Sequence, residues 1–111
     1  MESNEIFRYE LTESEDADNG KTTTVICHGR LTTQNSHEIE AVVKPLIQNG
    51  GTILIDLTDL LYLDSSGLGT LVALKVSAIN KGYCKLELVN LTPKVKQLLS
   101  MTNLTQLFAH K

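Results

Sequence analysis

The 111-residue chain has no tryptophan, two cysteines, two prolines and only 5% aromatic residues. With cysteine confined to Cys27 and Cys84 and no Cys-x-x-Cys pair, neither a disulfide framework nor a thiolate metal site is written into the sequence. Both thiols lie in apolar, strand-like segments and read as reduced core residues. Long runs of one charge are missing too. Ten Lys and Arg against thirteen Asp and Glu leave a formal charge of −3 without a basic stripe, which makes nucleic acid and anionic membranes poor partners. No apolar run approaches the ~20 residues of a membrane-spanning helix, and Met1-Glu2-Ser3-Asn4-Glu5 carries no basic leader. The expectation is a cytoplasmic protein. His28, His37 and His110 have no metal-ligand spacing, so neither a metal nor a cofactor is expected.

What is present fits one α/β domain over residues 1–111, because 41% hydrophobic content suffices for a single core. Ile6–Leu11 and Thr22–Cys27 are β-prone, and Asn19-Gly20 between them is a hairpin turn pair. The acidic Glu13–Asp18 stretch reads as a solvated loop. As a calcium loop counted from Asp16 its glycine comes one position early, and Cys27 stands where a bidentate Glu is needed. Ile39, Val42, Val43, Leu46 and Ile47 recur at helical spacing, with Pro45 expected to kink or shorten the last turn before Asn49-Gly50-Gly51. Thr52–Leu57 is nearly all apolar, as in a central strand buried on both faces. Leu68, Leu71, Val72, Val76 and Ile79 predict a second helix with that face inward, ending at Lys81-Gly82. Cys84–Val89 alternates like a strand nearer an edge. Thr92-Pro93 reads as N-cap and first residue of a third helix with Val95, Leu98, Leu99 and Met101 inward, and Leu107-Phe108-Ala109 as a short last strand. This order predicts a mixed sheet with amphipathic helices packed against it.

Between the central strand and the second helix lies Leu63-Asp64-Ser65-Ser66-Gly67-Leu68-Gly69. A hydrolase nucleophile elbow needs Gly-x-Ser-x-Gly, but Leu63 and Asp64 stand where the first glycine would be. A dinucleotide loop would need a further glycine or alanine where Val72 stands, and a P-loop ending in Gly-Lys-Ser/Thr is absent. Phosphoacceptance needs only an accessible hydroxyl where added charge can be read, and the first amides of a helix carry partial positive charge. A purely structural reading stays open beside it, with Asp and Ser as helix caps and Gly67 and Gly69 allowing tight strand–helix packing. Asp56, Asp59 and Asp64 superficially suggest an aspartyl phosphoacceptor pocket, but Val25-Ile26-Cys27 supplies no carboxylates for it.

The run from Asp56-Leu57 through Leu61-Tyr62-Leu63-Asp64-Ser65-Ser66-Gly67-Leu68-Gly69 resembles the signature of STAS domains, especially bacterial anti-sigma factor antagonists. Gly29-Arg30-Leu31, Leu86-Glu87-Leu88, Thr92-Pro93-Lys94-Val95 and Leu98-Leu99 resemble the flanking pattern, so the likeness spans about Thr24 to Phe108. It implies a STAS-like fold and a non-enzymatic switch in transcription regulation. The unphosphorylated protein would bind an anti-sigma factor with serine kinase activity, and phosphorylation of the motif's first serine, here Ser65 with Ser66 as the alternative, would end binding. The implied partner surface comprises Asp64, Ser65, Ser66, Gly67 and Leu68 with the loop Leu31, Thr32, Thr33, Gln34 and Asn35. In many antagonists an Asp follows the Gly-x-Leu segment, and here Thr32 stands in its place. A STAS module that binds an anion, a nucleotide or a protein without being phosphorylated is the alternative.

Overall fold

The computed structural model describes residues 7–16 and 20–108. The elements run β1 (Arg8–Asp16), β2 (Gly20–Leu31), α1 (Ser36–Asn49), β3 (Gly51–Leu63), α2 (Ser65–Lys81), β4 (Cys84–Val89) and α3 (Pro93–Met101). They form an α/β fold with a four-stranded mixed sheet in the order β1-β2-β3-β4. β1 is antiparallel to β2, while β2, β3 and β4 are mutually parallel. Two successive crossovers that step the same way across a sheet place both crossover helices on one face. On that face lie Val25, Cys27 and Leu31 of β2, Ile53, Ile55 and Leu57 of β3, and Leu86 and Leu88 of β4, all buried against Ile39, Val43, Leu71 and Leu74. α3 closes its end with Val95 and Leu99.

Several expectations are corrected. Glu13–Asp16 is strand rather than loop, because β1 continues in register as far as Asp16 opposite Gly20; Ala17, Asp18 and the Asn19 turn position lie outside the described residues. α1 runs through Pro45 to Asn49. Pro45 is exposed, as is Ala41 one turn earlier, so water can bond the carbonyl that the missing N–H leaves behind. β3 is an interior strand, but burial alternates along Gly51–Leu57, so the helix-free face stays partly open. β3 also continues six residues past Leu57. There Leu57, Leu60 and Leu63 point inward at a period of three, because the pairing slips between Ile26 and His28 and again between Gly29 and Arg30. Such irregularities insert extra residues and re-aim side chains, and Gly29 accommodates the kink at φ 88°. Leu107 and Phe108 form a turn, not a strand, with Ala109 outside the described residues.

The inward face of α2 is Gly67, Leu68, Leu71, Leu74 and Ala78, while Val76 and Ile79 are 41% and 55% exposed. Gly67 sets this rotation. A Cβ there would lie 2.4 Å from the Leu31 carbonyl oxygen and 2.8 Å from Leu63 Cδ1, so only glycine lets the helix approach so closely. Residues 71, 74 and 78 then follow it inward at helical spacing. Met101 of α3 is likewise outside, at 73% exposure.

Candidate functional site

The site is assembled where β3 turns into α2. Asp64 is the N-cap in extended conformation, and its Oδ1 accepts from the Gly67 amide at 2.8 Å. This satisfies one of the amides that a helix start leaves unpaired. Its Oδ2 accepts from the Thr33 amide at 3.2 Å, across to the β2–α1 loop. The Asp64 amide donates to the Leu31 carbonyl at 3.2 Å. The Gly67 bond foremost, with the Thr33 and Ser66 amides and the Thr33 hydroxyl, outweighs desolvation and holds the Asp64 carboxyl below its ordinary value.

The two serines differ. Ser66 Oγ accepts from Thr33 Oγ1 at 2.9 Å and is half-buried. Ser65, the first residue of α2, is exposed, and among the described residues its hydroxyl has no hydrogen-bond partner. The β2–α1 loop is braced from within. The Asn35 side chain accepts from the Thr32 amide at 2.8 Å and donates to the Arg30 carbonyl at 3.0 Å, and Thr32 Oγ1 accepts from the Gln34 amide at 3.3 Å. Thr32 is therefore a turn-forming hydroxyl, and the carboxylate reaching this loop comes from Asp64. Thr33, bonded to Ser66, and the next residue Gln34 are exposed. Leu31, Gly67 and Leu68, expected among the residues that touch a partner, are buried. They support the surface from beneath, since the strand–helix contact consumes their faces.

The other aspartates are engaged elsewhere. Asp56 accepts from the Thr58 amide and hydroxyl at 2.9 and 2.7 Å and from Asn90 at 3.0 Å. Partial burial raises its pKa, but these bonds outweigh that and lower it. Asp59 pairs with His28 Nδ1 at 2.5 Å, and Glu10 takes Nε2 at 2.8 Å, stitching β1, β2 and β3 on the helix-free face. Among the described residues no group of three or more His, Cys, Asp or Glu is placed to hold a metal ion, and no helix is long and apolar enough to cross a membrane.

A groove absent from the sequence reading adjoins the site. Leu60–Leu63 form one wall and Thr92, Lys94, Val95, Gln97, Leu98 and Met101 of the α3 region the other. The period-three stretch of β3 exposes Leu61 at 58% and Tyr62 at 40%, with the Arg30 guanidinium 4.3 Å from the Tyr62 ring centre. Two adjacent apolar residues just before a polar motif were the available signal, but the alternation of a regular strand assigns one of them inward.

Comparison with known proteins places this geometry. A sequence search against curated proteins returns no significant match. Among solved structures, the unphosphorylated anti-sigma factor antagonist SpoIIAA of Bacillus is 21% identical with a TM-score of 0.67, over 91% of this chain and 84% of that one. An anti-sigma factor antagonist from Mycobacterium paratuberculosis is 19% identical with a TM-score of 0.74, over 97% and 87%. The murine anion transporter Slc26a9 is 15% identical with a TM-score of 0.71, over 94% of this chain and 20% of the transporter. At these identities the likeness is one of fold. The STAS domain family model matches residues 11–111, and with motif, topology and match in agreement, this chain belongs to the STAS domain family.

Proposed function

We propose that this chain is an anti-sigma factor antagonist, a binding module that captures an anti-sigma factor with serine kinase activity and is switched off by phosphorylation at Ser65. The observation that carries the reading is the unequal setting of the two serines. Ser65 is exposed without a partner among the described residues, whereas Ser66 is tied to Thr33. A phosphate adds about −1.5 to −2 charges beside the Asp64 carboxylate. It sits on a surface formed by Asp64, Ser65, Ser66, Thr33 and Gln34, next to the groove below Leu61 and Tyr62.

Loss of binding with retained structure follows. Covering an unpaired charge with a partner costs several kcal/mol, and each ~1.4 kcal/mol is tenfold in affinity. The fold is expected to keep its contacts because Ser65 is exposed. The anion- or nucleotide-binding alternative needs the first amides of α2 as donors, and Asp64 already holds the Gly67 amide. The test is co-expression with candidate serine kinases, mapping of the modified residue by mass spectrometry, and titration of the anti-sigma partner with unmodified, phosphorylated and Ser65→Asp protein. The expected result is a single modified residue, Ser65, and at least a tenfold loss of affinity in both altered forms. Equal binding by all three overturns the switch.

A further inference from the structure

Thr33 meets the start of α2 through both its amide and its hydroxyl. The amide donates to Asp64 Oδ2 at 3.2 Å and the hydroxyl to Ser66 Oγ at 2.9 Å. The loop behind it is held in shape by the Asn35 side chain, which bonds the Thr32 amide and the Arg30 carbonyl, and by Thr32 Oγ1 on the Gln34 amide. The Asp64 amide on the Leu31 carbonyl at 3.2 Å joins the end of β2 to the start of α2. Thr33 is exposed and takes no part in the core, so its hydroxyl can be removed without opening a cavity.

The two serines are successive residues of one helix and so project about 100° apart. Ser65 takes the solvent side and is exposed, while Ser66 takes the side of the β2–α1 loop and is half-buried. A hydroxyl oxygen has two lone pairs, and at Ser66 one of them is occupied by the Thr33 hydroxyl. Phosphoryl transfer needs the oxygen turned outward. It forms a bond to the γ-phosphorus of a nucleoside triphosphate on the kinase, the bond to the departing diphosphate breaks, and the hydroxyl proton passes to a base of the kinase. Ser65 can react from the position it holds. Ser66 must first turn from Thr33 and give up that bond.

Resting on the phosphorylation reading above, we propose that Thr33 determines which serine is modified, as a positioning residue whose hydroxyl withholds Ser66 and leaves Ser65 as the single acceptor. The motif offers two adjacent serines and does not choose between them. The choice is made from the neighbouring loop, by a residue thirty-three positions before Ser66. The same contact protects the modified state. A phosphoryl group on Ser66 would take the oxygen that Thr33 holds and would repel the Asp64 carboxylate that holds the Thr33 amide, so the loop would lose both ties to α2. Ser65 makes neither of these bonds.

The experiment incubates the whole chain with the candidate serine kinases and ATP and quantifies each modified residue by mass spectrometry. Thr33→Val keeps the shape and the backbone amide and removes the hydroxyl, while Thr33→Ser keeps the hydroxyl and serves as the conservative rescue. The ratio of Ser66 to Ser65 labelling should rise roughly fivefold or more in Thr33→Val, the scale of one neutral hydrogen bond, and return to the wild-type ratio in Thr33→Ser. On a Ser65→Ala background, Thr33→Val should raise the initial rate of Ser66 labelling by a similar factor. An unchanged ratio in Thr33→Val overturns the role of Thr33 and leaves the switch standing, and an equal gain at both serines, which a merely loosened loop would give, counts as unchanged. A rise that Thr33→Ser does not reverse has the same meaning, as does a wild-type chain labelled equally at the two serines. A chain that no kinase labels at either serine overturns the switch itself, and this inference with it.

Discussion

Replacing Gly67 with alanine separates two effects that glycine substitutions usually mix. In a helix alanine is favoured over glycine by up to ~1 kcal/mol, so propensity alone predicts a gain. The new Cβ would stand 2.4 Å from the Leu31 carbonyl oxygen, about 1 Å inside ordinary contact, and a backbone oxygen cannot swing aside. α2 must withdraw from β2. This strains the Asp64 amide bond to the same carbonyl and the Thr33 bonds to Asp64 and Ser66. Overpacking of this kind costs about 1–3 kcal/mol and a weakened hydrogen bond roughly 1 kcal/mol more, so the net expectation is a loss of about 1–3 kcal/mol. Gly69→Ala is the matched control, because its Cβ enters open space and should gain about 0.5–1 kcal/mol. Urea unfolding followed by circular dichroism reads both. With slopes of about 1–3 kcal/mol per molar, the two midpoints should separate by roughly 1 M, with wild type between them. If Gly67→Ala unfolds at the wild-type midpoint or above it, the close approach of α2 to Leu31 does not exist as described.

Two further outcomes follow from the titrating groups. The Gly67 amide bond, with those from Thr33 and Ser66, lowers the Asp64 pKa, so its stabilisation is complete above the unfolded carboxylate value near ~3.9 and is lost as pH falls through the lower folded value. Asp64→Asn should therefore flatten, without abolishing, the fall in urea midpoint between about pH 5 and pH 2, Asp56 accounting for part of what remains; superimposable slopes refute it. Burial, with the Asp56 charge adding to it, pushes the Cys27 thiol up to about 12, so at neutral pH this cysteine should react with Ellman's reagent only as fast as the chain opens, after Cys84. Labelling of native Cys27 at the rate of the denatured chain contradicts the packing.

The parts of this fold that could be read in advance are those where a local rule and the tertiary structure agree. Thr92 capping α3 is one, its Oγ1 accepting from the Val95 amide at 3.2 Å. Ile39, Val43 and Ile47, buried on one face of α1, are another. The misreadings share a cause, a long-range contact overriding a local pattern. Pairing with Lys21–Thr23 draws Glu13–Glu15 into β1, and slipped register carries β3 past Leu57 to Leu63. The Leu31 carbonyl rotates α2 about Gly67 until Val76 and Ile79 face out. At the candidate site the motif marked the start of α2, but the difference between Ser65 and Ser66 depends on Thr33, which is thirty-three residues from Ser66 in sequence. No local pattern encodes that distance.

Asp64 has one more consequence. A helix start has few amide hydrogens to offer an anion, and here a resident carboxylate already claims the Gly67 amide and shares the Thr33 amide of the neighbouring loop. A second anion arriving at Ser65 finds the seat taken. Under the proposed switch, a phosphate on Ser65 would meet a helix start whose Gly67 amide is already bonded to a carboxylate and would stay outside, hydrated.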